Sequence, residues 1–369
     1  MSNTEDPIYE EPLEDENQVL NSQELRELDL LTQRYEKLTE PGILAKAGGK
    51  IAEIIPSQVK DAVADAGEAL TEKQFYTEAM KVISTGFEAL EKNAAKVTVS
   101  EKTVIERANK HIPDRSITSL DELCFARSYD VCKIAEAEKL PNLALAFSEG
   151  GATGFFGFAG IVPNIVTSTF CYYRAVQSIA MSYGYDVKNN ADELMIASEV
   201  FTTAMSPRSG GSGEMASIIG KIMMISEAEA VKQTVKKGWT EMAARGGISL
   251  LLTQMRALAH KAAQKALQKA GKEGLENSVF RSILEQIGKR LGQKTVQRAV
   301  PFVSAAIGAF FDTGEMNKVL EFSDTFYKKR FILEKGVRQA EFEARGGREE
   351  PEVHDLDSDS QSDVPELEC

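Results

Sequence analysis

Between residues 21 and 346 apolar side chains recur at three- and four-residue intervals, and no run keeps the two-residue alternation of a strand. Ala, Leu, Glu, Lys, Gln and Met dominate, all good helix formers. Asn21 with Glu24 predicts a capped helix running to about Leu38, ended by Pro41-Gly42. Pro56-Ser57 opens a second helical region that continues past Glu91. Ser119-Leu-Asp-Glu122 has the form of a capping box, predicting a helix that carries Leu123, Val131 and Ile134 and stops near Pro141. Asn190-Ala-Asp-Glu193 opens another, halted at Ser206-Pro207, and residues 206–213 read as a flexible internal loop. Helices over about 214–236, 240–270 and 276–296 follow, the middle one broken or kinked at Gly246-Gly247. The last runs from about Glu315 to Arg345, where Val319, Phe322, Phe326 and Leu333 form a core-facing stripe. The pattern therefore predicts an all-α protein with one compact multi-helix body over residues 21–346.

Composition agrees with a globular body. The 369 residues are 43% hydrophobic and 27% charged, enough to bury one large core or two modest ones. A mean hydropathy below zero excludes a polytopic membrane protein but leaves room for one inserted hairpin. Charge sharpens the picture. Residues 1–20 hold seven acids and no Lys or Arg, and residues 347–369 hold nine acids and Arg348. These tails account for more than the net charge of −13 and leave +2 on the body. Both read as disordered, because they bury too little apolar surface to offset the entropy of ordering. They serve solubility, or they bind a protein partner. Tyr9, in Asp6-Pro-Ile-Tyr-Glu-Glu-Pro12, is a candidate phosphorylation site and resembles the E-P-I-Y type motif of some bacterial effectors delivered into host cells.

Within the body, residues 231–298 contain fourteen Lys and Arg against four acids. Lys261, Lys265, Lys269 and Lys272 fall at helical spacing, a row that can meet anionic lipid head groups, or a solvated face balanced by acidic helices elsewhere. Trp239 and Phe280 are the only aromatic residues in that stretch, too few for a stacking platform, so a nucleic-acid partner is not expected.

Two segments lack charge. Residues 150–173 carry Gly150, Gly151, Gly154, Gly157 and Gly160, with Pro163 expected to interrupt the helix and give a hairpin or two packed half-helices. Residues 299–311 place Ser304 and Gly308 as a second small-xxx-small pair. Two readings stay open: a tight buried small-residue core, or reversible membrane insertion.

Catalytic chemistry is missing from the pattern. His111, His260 and His354 lie far apart, and no H-E-x-x-H, C-x-x-C or P-loop spacing occurs, so neither metal nor cofactor is expected. Gly211-Ser-Gly-Glu-Met-Ala216 matches a dinucleotide fingerprint formally but follows no strand. Ser57 in Ser-Gln-Val-Lys60 reads as a helix cap, and Asp186 after Gly184 as a turn residue before a catalytic acid. Cys124, Cys132, Cys171 and Cys369 form no disulfide framework, and the acidic N-terminus lacks a signal peptide; both fit a reducing, cytoplasmic setting, with delivery into a host cell left open.

Three stretches carry a resemblance. Gly151-Ala-Thr-Gly-Phe-Phe-Gly-Phe-Ala-Gly-Ile-Val-Pro163, continuing through Tyr173-Arg-Ala-Val-Gln-Ser-Ile-Ala180 to Tyr183-Gly-Tyr-Asp186, is similar to the central signature of the EcsC family. Ile287-Gly-Lys-Arg-Leu-Gly-Gln-Lys294, Val300-Pro-Phe-Val-Ser-Ala-Ala-Ile-Gly308 and Tyr327-Lys-Lys-Arg-Phe331 resemble its C-terminal signature, and Glu40-Pro-Gly-Ile-Leu its N-terminal part. The resemblance covers about residues 38–336, with Asn164 standing where the family pattern often has an acid. The family is named for a bacterial protein encoded beside an ABC transporter. It implies a non-enzymatic accessory protein at a membrane surface or on a transporter, peripheral to the inner face of the membrane, and brings no catalytic residues. Two other classes stay open: a secreted effector or adaptor working through its tails, and a hydrolase with an unrecognised site.

Overall fold

A computed structural model describes residues 19–39, 100–113, 115–136, 158–205, 213–225, 247–270, 274–298 and 313–347. In chain order the helices are α1 (Ser22–Thr39), α2 (Glu101–His111), a 3-10 turn (Asp121–Phe125), α3 (Phe158–Ser182), α4 (Ala191–Ala204), α5 (Glu214–Met223), α6 (Ile248–Ala270), α7 (Leu275–Arg298) and α8 (Thr313–Ala344). No strand occurs among the described residues. The all-α architecture stands.

Local chemistry explains the boundaries. Asn21 and Glu24 cap α1 reciprocally: Glu24 N–H donates to Asn21 Oδ1 at 2.9 Å, and Asn21 N–H to Glu24 Oε2 at 3.2 Å. Asn190 caps α4 by accepting from the amides of Asp192 and Glu193. Gly247 takes φ +86° directly before α6, which begins at Ile248; residues 240–246, on the other side of the predicted break, lie outside the described residues.

Two expectations fail. Ser119 does not start a helix. The Glu122 carboxylate turns back to the amide (2.9 Å) and hydroxyl of Thr118, and the chain forms the 3-10 turn, breaks at residues 126–127, and resumes as helix over 128–136. Leu123 and Val131 therefore sit on different elements, though both are fully buried. Pro163 does not interrupt its helix either: α3 runs unbroken from Phe158 to Ser182. A proline ring fixes φ at a helical value and withdraws one amide donor. Here that loss falls in the second turn, while the rest of α3 is held against α4 and α8.

Helix α8 is the axis of the body, packing against α1, α3, α4, α5 and the 3-10 turn, while α6 closes the other side of α4 against α5 and α7. Val319, Phe322, Phe326 and Leu333 are buried as the helical stripe requires. Aromatic contacts knit the elements together. Tyr173 on α3 stacks on Phe280 of α7 at 6.0 Å and meets Phe201 of α4 edge-on at 5.7 Å. Thr169, Phe170, Tyr172 and Tyr173, the described side chains of the uncharged segment, are all buried in this core. Among the described residues no helix is long and apolar enough to cross a membrane.

Candidate functional site

The sequence-predicted residues separate into three groups. Lys261, Lys265 and Lys269 are all exposed on α6. Gly160 and Pro163 lie in the α3 backbone. Tyr9, Gly150, Gly151, Gly154, Gly157, Lys272, Ser304 and Gly308 lie outside the described residues.

On α6 the buried positions Leu252, Met255, Ala259 and Ala263 define the inward face. The three lysines fall on a flank continuous with Gln254 and Leu258, which share that angular sector of the helix. Gln254, Ala257 and Leu258 form one wall of a largely apolar groove of about 460 Å³, and Glu214, Ser217, Ile218 and Lys221 of α5 form the other. The lysine row thus extends an apolar groove along one helix flank. Leu267 is 53% exposed on the same helix.

A second feature was not apparent from the sequence. The turn Tyr183-Gly-Tyr-Asp186, after α3, meets the segment Tyr327–Arg338 of α8. Tyr183 Oη donates to Asp324 Oδ1 at 2.9 Å, and Tyr185 Oη to Glu334 Oε2 at 3.1 Å. Two guanidinium groups lie over the Tyr185 ring, Arg330 at 3.9 Å and Arg338 at 4.5 Å. Arg338 closes the turn by donating to the carbonyls of Tyr183 (2.8 Å) and Gly184 (2.7 Å). Arg330, fully buried, holds Glu193 of α4 through a two-pronged pair at 2.6 and 2.7 Å and Glu334 at 3.0 Å. Arg256 of α6 reaches Glu334 and Glu341, each at 3.2 Å. Burial pushes the Glu334 carboxyl up, and Arg256, Arg330 and Arg338 more than reverse this, leaving it below the ordinary carboxylate range.

Above this network opens a cavity of about 250 Å³. Its walls come from Asp121, the Gly184–Asp186 turn, Asn190, Asp192, Glu193 and Ile196 at the start of α4, Arg256, Arg338 and Glu341 of α8, and Arg345 just past its end. The lining is polar and carries both charges. Among the described residues, the lining holds no Ser, Cys or Lys nucleophile, and no group of three or more metal-ligating side chains occurs. Asp186 behaves as a turn residue, accepting from the amides of Lys188 (2.9 Å) and Asn189 (3.0 Å). Cys124 and Cys132 are free thiols, and burial pushes Cys124 up to about 11.

Two segments that carry the family resemblance in the sequence, residues 183–186 and 327–331, therefore pack on each other: the Tyr185 and Tyr327 rings lie 5.6 Å apart, and those of Tyr183 and Phe331 6.1 Å apart. The model of the EcsC protein family matches residues 22–332. The chain belongs to the EcsC family. The match starts at α1, earlier than the resemblance near residue 38 suggested, and ends inside α8. The α8 half of the cavity, with Arg338, Glu341 and Arg345, thus lies beyond the matched region of this EcsC protein. No curated protein and no solved structure matches the chain.

Proposed function

We propose that this EcsC protein is a non-catalytic accessory factor that docks on an anionic membrane surface through the α5–α6 flank. The observation that carries the reading is the row Lys261, Lys265 and Lys269, all exposed and continuous with the apolar groove. Basic side chains near an anionic bilayer contribute about 1 kcal/mol each, screened by salt, so three supply roughly a hundredfold in partitioning at low ionic strength. The groove adds a contact that salt does not screen.

Flotation with phosphatidylglycerol vesicles tests this. The whole chain should float at low salt, and less so at high salt. The triple variant Lys261→Glu, Lys265→Glu, Lys269→Glu should stay at the bottom with unchanged melting, because all three side chains are solvated. Equal flotation of the variant and the natural chain would move the contact elsewhere. Failure of the natural chain to float at low salt would end the membrane reading.

A further inference from the structure

We infer that the acidic segment Asp355-Leu-Asp-Ser-Asp359 of this chain docks on the exposed lysine row of α6 and competes with anionic lipid for it. The inference concerns the regulation of the membrane contact proposed above and rests on that reading for its consequence; the docking itself is tested without a membrane.

The row is a cationic surface with no anion of its own. Helix α6 carries Arg256, His260, Lys261, Lys265 and Lys269 along its 23 residues and no Asp or Glu. Arg256 is taken up by Glu334 and Glu341, and His260 faces Asp192. Lys261, Lys265 and Lys269 are exposed, and no carboxylate among the described residues pairs with them. Two exposed lysines on other elements do find partners within their own helix: Lys102 lies 3.9 Å from Glu106, and Lys133 2.7 Å from Asp130. Pairs at three- and four-residue spacing neutralise those cations, whereas α6 can offer none.

Charge, spacing and attachment favour one occupant. Residues 348–369 lie outside the described residues and hold nine acids against Arg348. Lysines four residues apart on a helix stand about 6 Å from one another along its axis. In an extended chain, alternate residues share a side at about 6.6 Å. Asp355, Asp357 and Asp359 have that spacing, and they are the only three acids at alternate positions in either tail. The tail also leaves the fold in a suitable place. Glu341 is held to Arg256 at 3.2 Å, so the last turns of α8 lie beside α6. From that pair, Gly347 is six residues along the chain, about 9 Å, and Lys261 is five residues along α6, about 8 Å. With one helix width of about 10 Å between them, Gly347 and Lys261 are roughly 20 Å apart. The eight residues from Gly347 to Asp355 can span about 26 Å. The acids before Val19 enter the fold elsewhere, at α1 beside Gly336.

Zero-length carbodiimide cross-linking of the full chain, with peptide mapping of the monomer, reads the contact directly. At about 10 mM salt Asp355, Asp357 or Asp359 should join Lys261, Lys265 or Lys269, and these links should be lost at about 0.5 M, where screening acts within a few ångströms. In flotation with phosphatidylglycerol vesicles at low salt, the triple variant Asp355→Asn, Asp357→Asn, Asp359→Asn should bind about three- to tenfold more tightly than the natural chain, since exposed ion pairs are weak singly but act here within one chain. Asp363→Asn, Glu366→Gln, Glu368→Gln removes the same charge from the tail outside the segment and should change binding less than about twofold. The proposal is overturned if no such link forms, if the links run instead from acids before Val19, if they appear only in a dimer fraction, or if the two triple variants bind alike. Links that form while neither the natural chain nor either variant floats would establish the docking and end the membrane reading, and the competition with it.

Discussion

Substituting Gly184 by Ala should be among the most damaging single-methyl changes in this protein. Gly184 has φ +80°, where an L side chain costs about 1–2 kcal/mol. Space is the larger problem. A Cβ there would lie 2.6 Å from the carbonyl oxygen of Leu120, 3.3 Å from Leu123 Cβ, and against Nη2 of Arg338. The Leu120 carbonyl is backbone and cannot swing aside, so the turn or Arg338 has to move. Moving Arg338 sacrifices one or both charge-assisted hydrogen bonds to Tyr183 and Gly184, at about 1.5–3 kcal/mol each. Together the penalty is about 2.5–8 kcal/mol against a total stability of about 5–15 kcal/mol. Urea unfolding followed by circular dichroism should show a lower midpoint with an unchanged slope. Gly247→Ala is the control. It shares the positive φ (+86°) but its Cβ would meet nothing within 4 Å, so it should lose only the conformational cost. Equal losses at the two sites would refute the collision argument, and a loss under about 1 kcal/mol at Gly184 would refute the geometry of the turn.

The remaining predictions concern the buried charges and thiols. Burial lowers the Lys329 ammonium to about 7 from its ordinary 10.5, so the folded state releases a proton that the unfolded state keeps. Stability contributed at this site should therefore rise with pH from about 7 to 10.5, and Lys329→Met should flatten that rise relative to the natural chain in paired denaturant melts. Glu24 accepts from Lys335 Nζ (2.8 Å), the Ser128 amide (2.9 Å), Arg127 (3.3 Å) and its own cap residue, so Glu24→Gln should cost about 3–5 kcal/mol by stranding Lys335. Adding Lys335→Met should recover part of that loss, and a double variant no more stable than Glu24→Gln would show that Lys335 was not the stranded charge. Alkylation followed by peptide mapping should modify Cys132 before Cys124, because Cys124 is fully buried with its thiol pushed up to about 11.

Much of the helical framework was legible because it is written locally. The Asn21 and Asn190 caps, the start of α6 after Gly247 and the apolar stripe of α8 each depend on residues within a turn or two of one another. The same locality explains the errors. Ser119 and Glu122 have the spacing of a capping box, yet Thr118 offers Glu122 both an amide and a hydroxyl and wins. Pro163 carries a helix-breaking signal, but the packing of α3 against α4 and α8 overrides it. The lysine row on α6 was found by periodicity, since a solvated face needs no partner to define it. The cavity could not be found that way. Its walls come from residues 121, 184–196, 256 and 338–345, brought together only by tertiary packing. The one signal available was that Tyr183-Gly-Tyr-Asp186 and Tyr327-Lys-Lys-Arg-Phe331 both belong to the stretches that resemble the EcsC family.

The charges of α8 show what such a segment is for. Read alone, Tyr327-Lys-Lys-Arg-Phe331 resembles a solvated helix face, but Lys329, Arg330, Glu334 and Lys335 are each at most 1% exposed. Their partners are spread over α1, the end of α5, α4, α6 and the turn after α3. Lys335 reaches Glu24 and Lys328 reaches Glu27, both on α1, while Lys329 donates to Thr32 of α1 and to the Met223 carbonyl at the end of α5. Arg330 takes Glu193 of α4, and Glu334 takes Tyr185 and Arg256. Aromatic side chains supply the burial, but a helix surrounded by apolar neighbours gains similar area in several rotations about its axis. Turning α8 by one residue, about 100°, would withdraw every one of these groups from its partner while leaving it buried. Because an uncompensated buried charge costs several kcal/mol, the shifted packings are eliminated one partner at a time. The correct rotation is the one that also sets Arg338 against the Gly184 turn, so the contacts that fix the axis of the fold are the ones that shape the cavity.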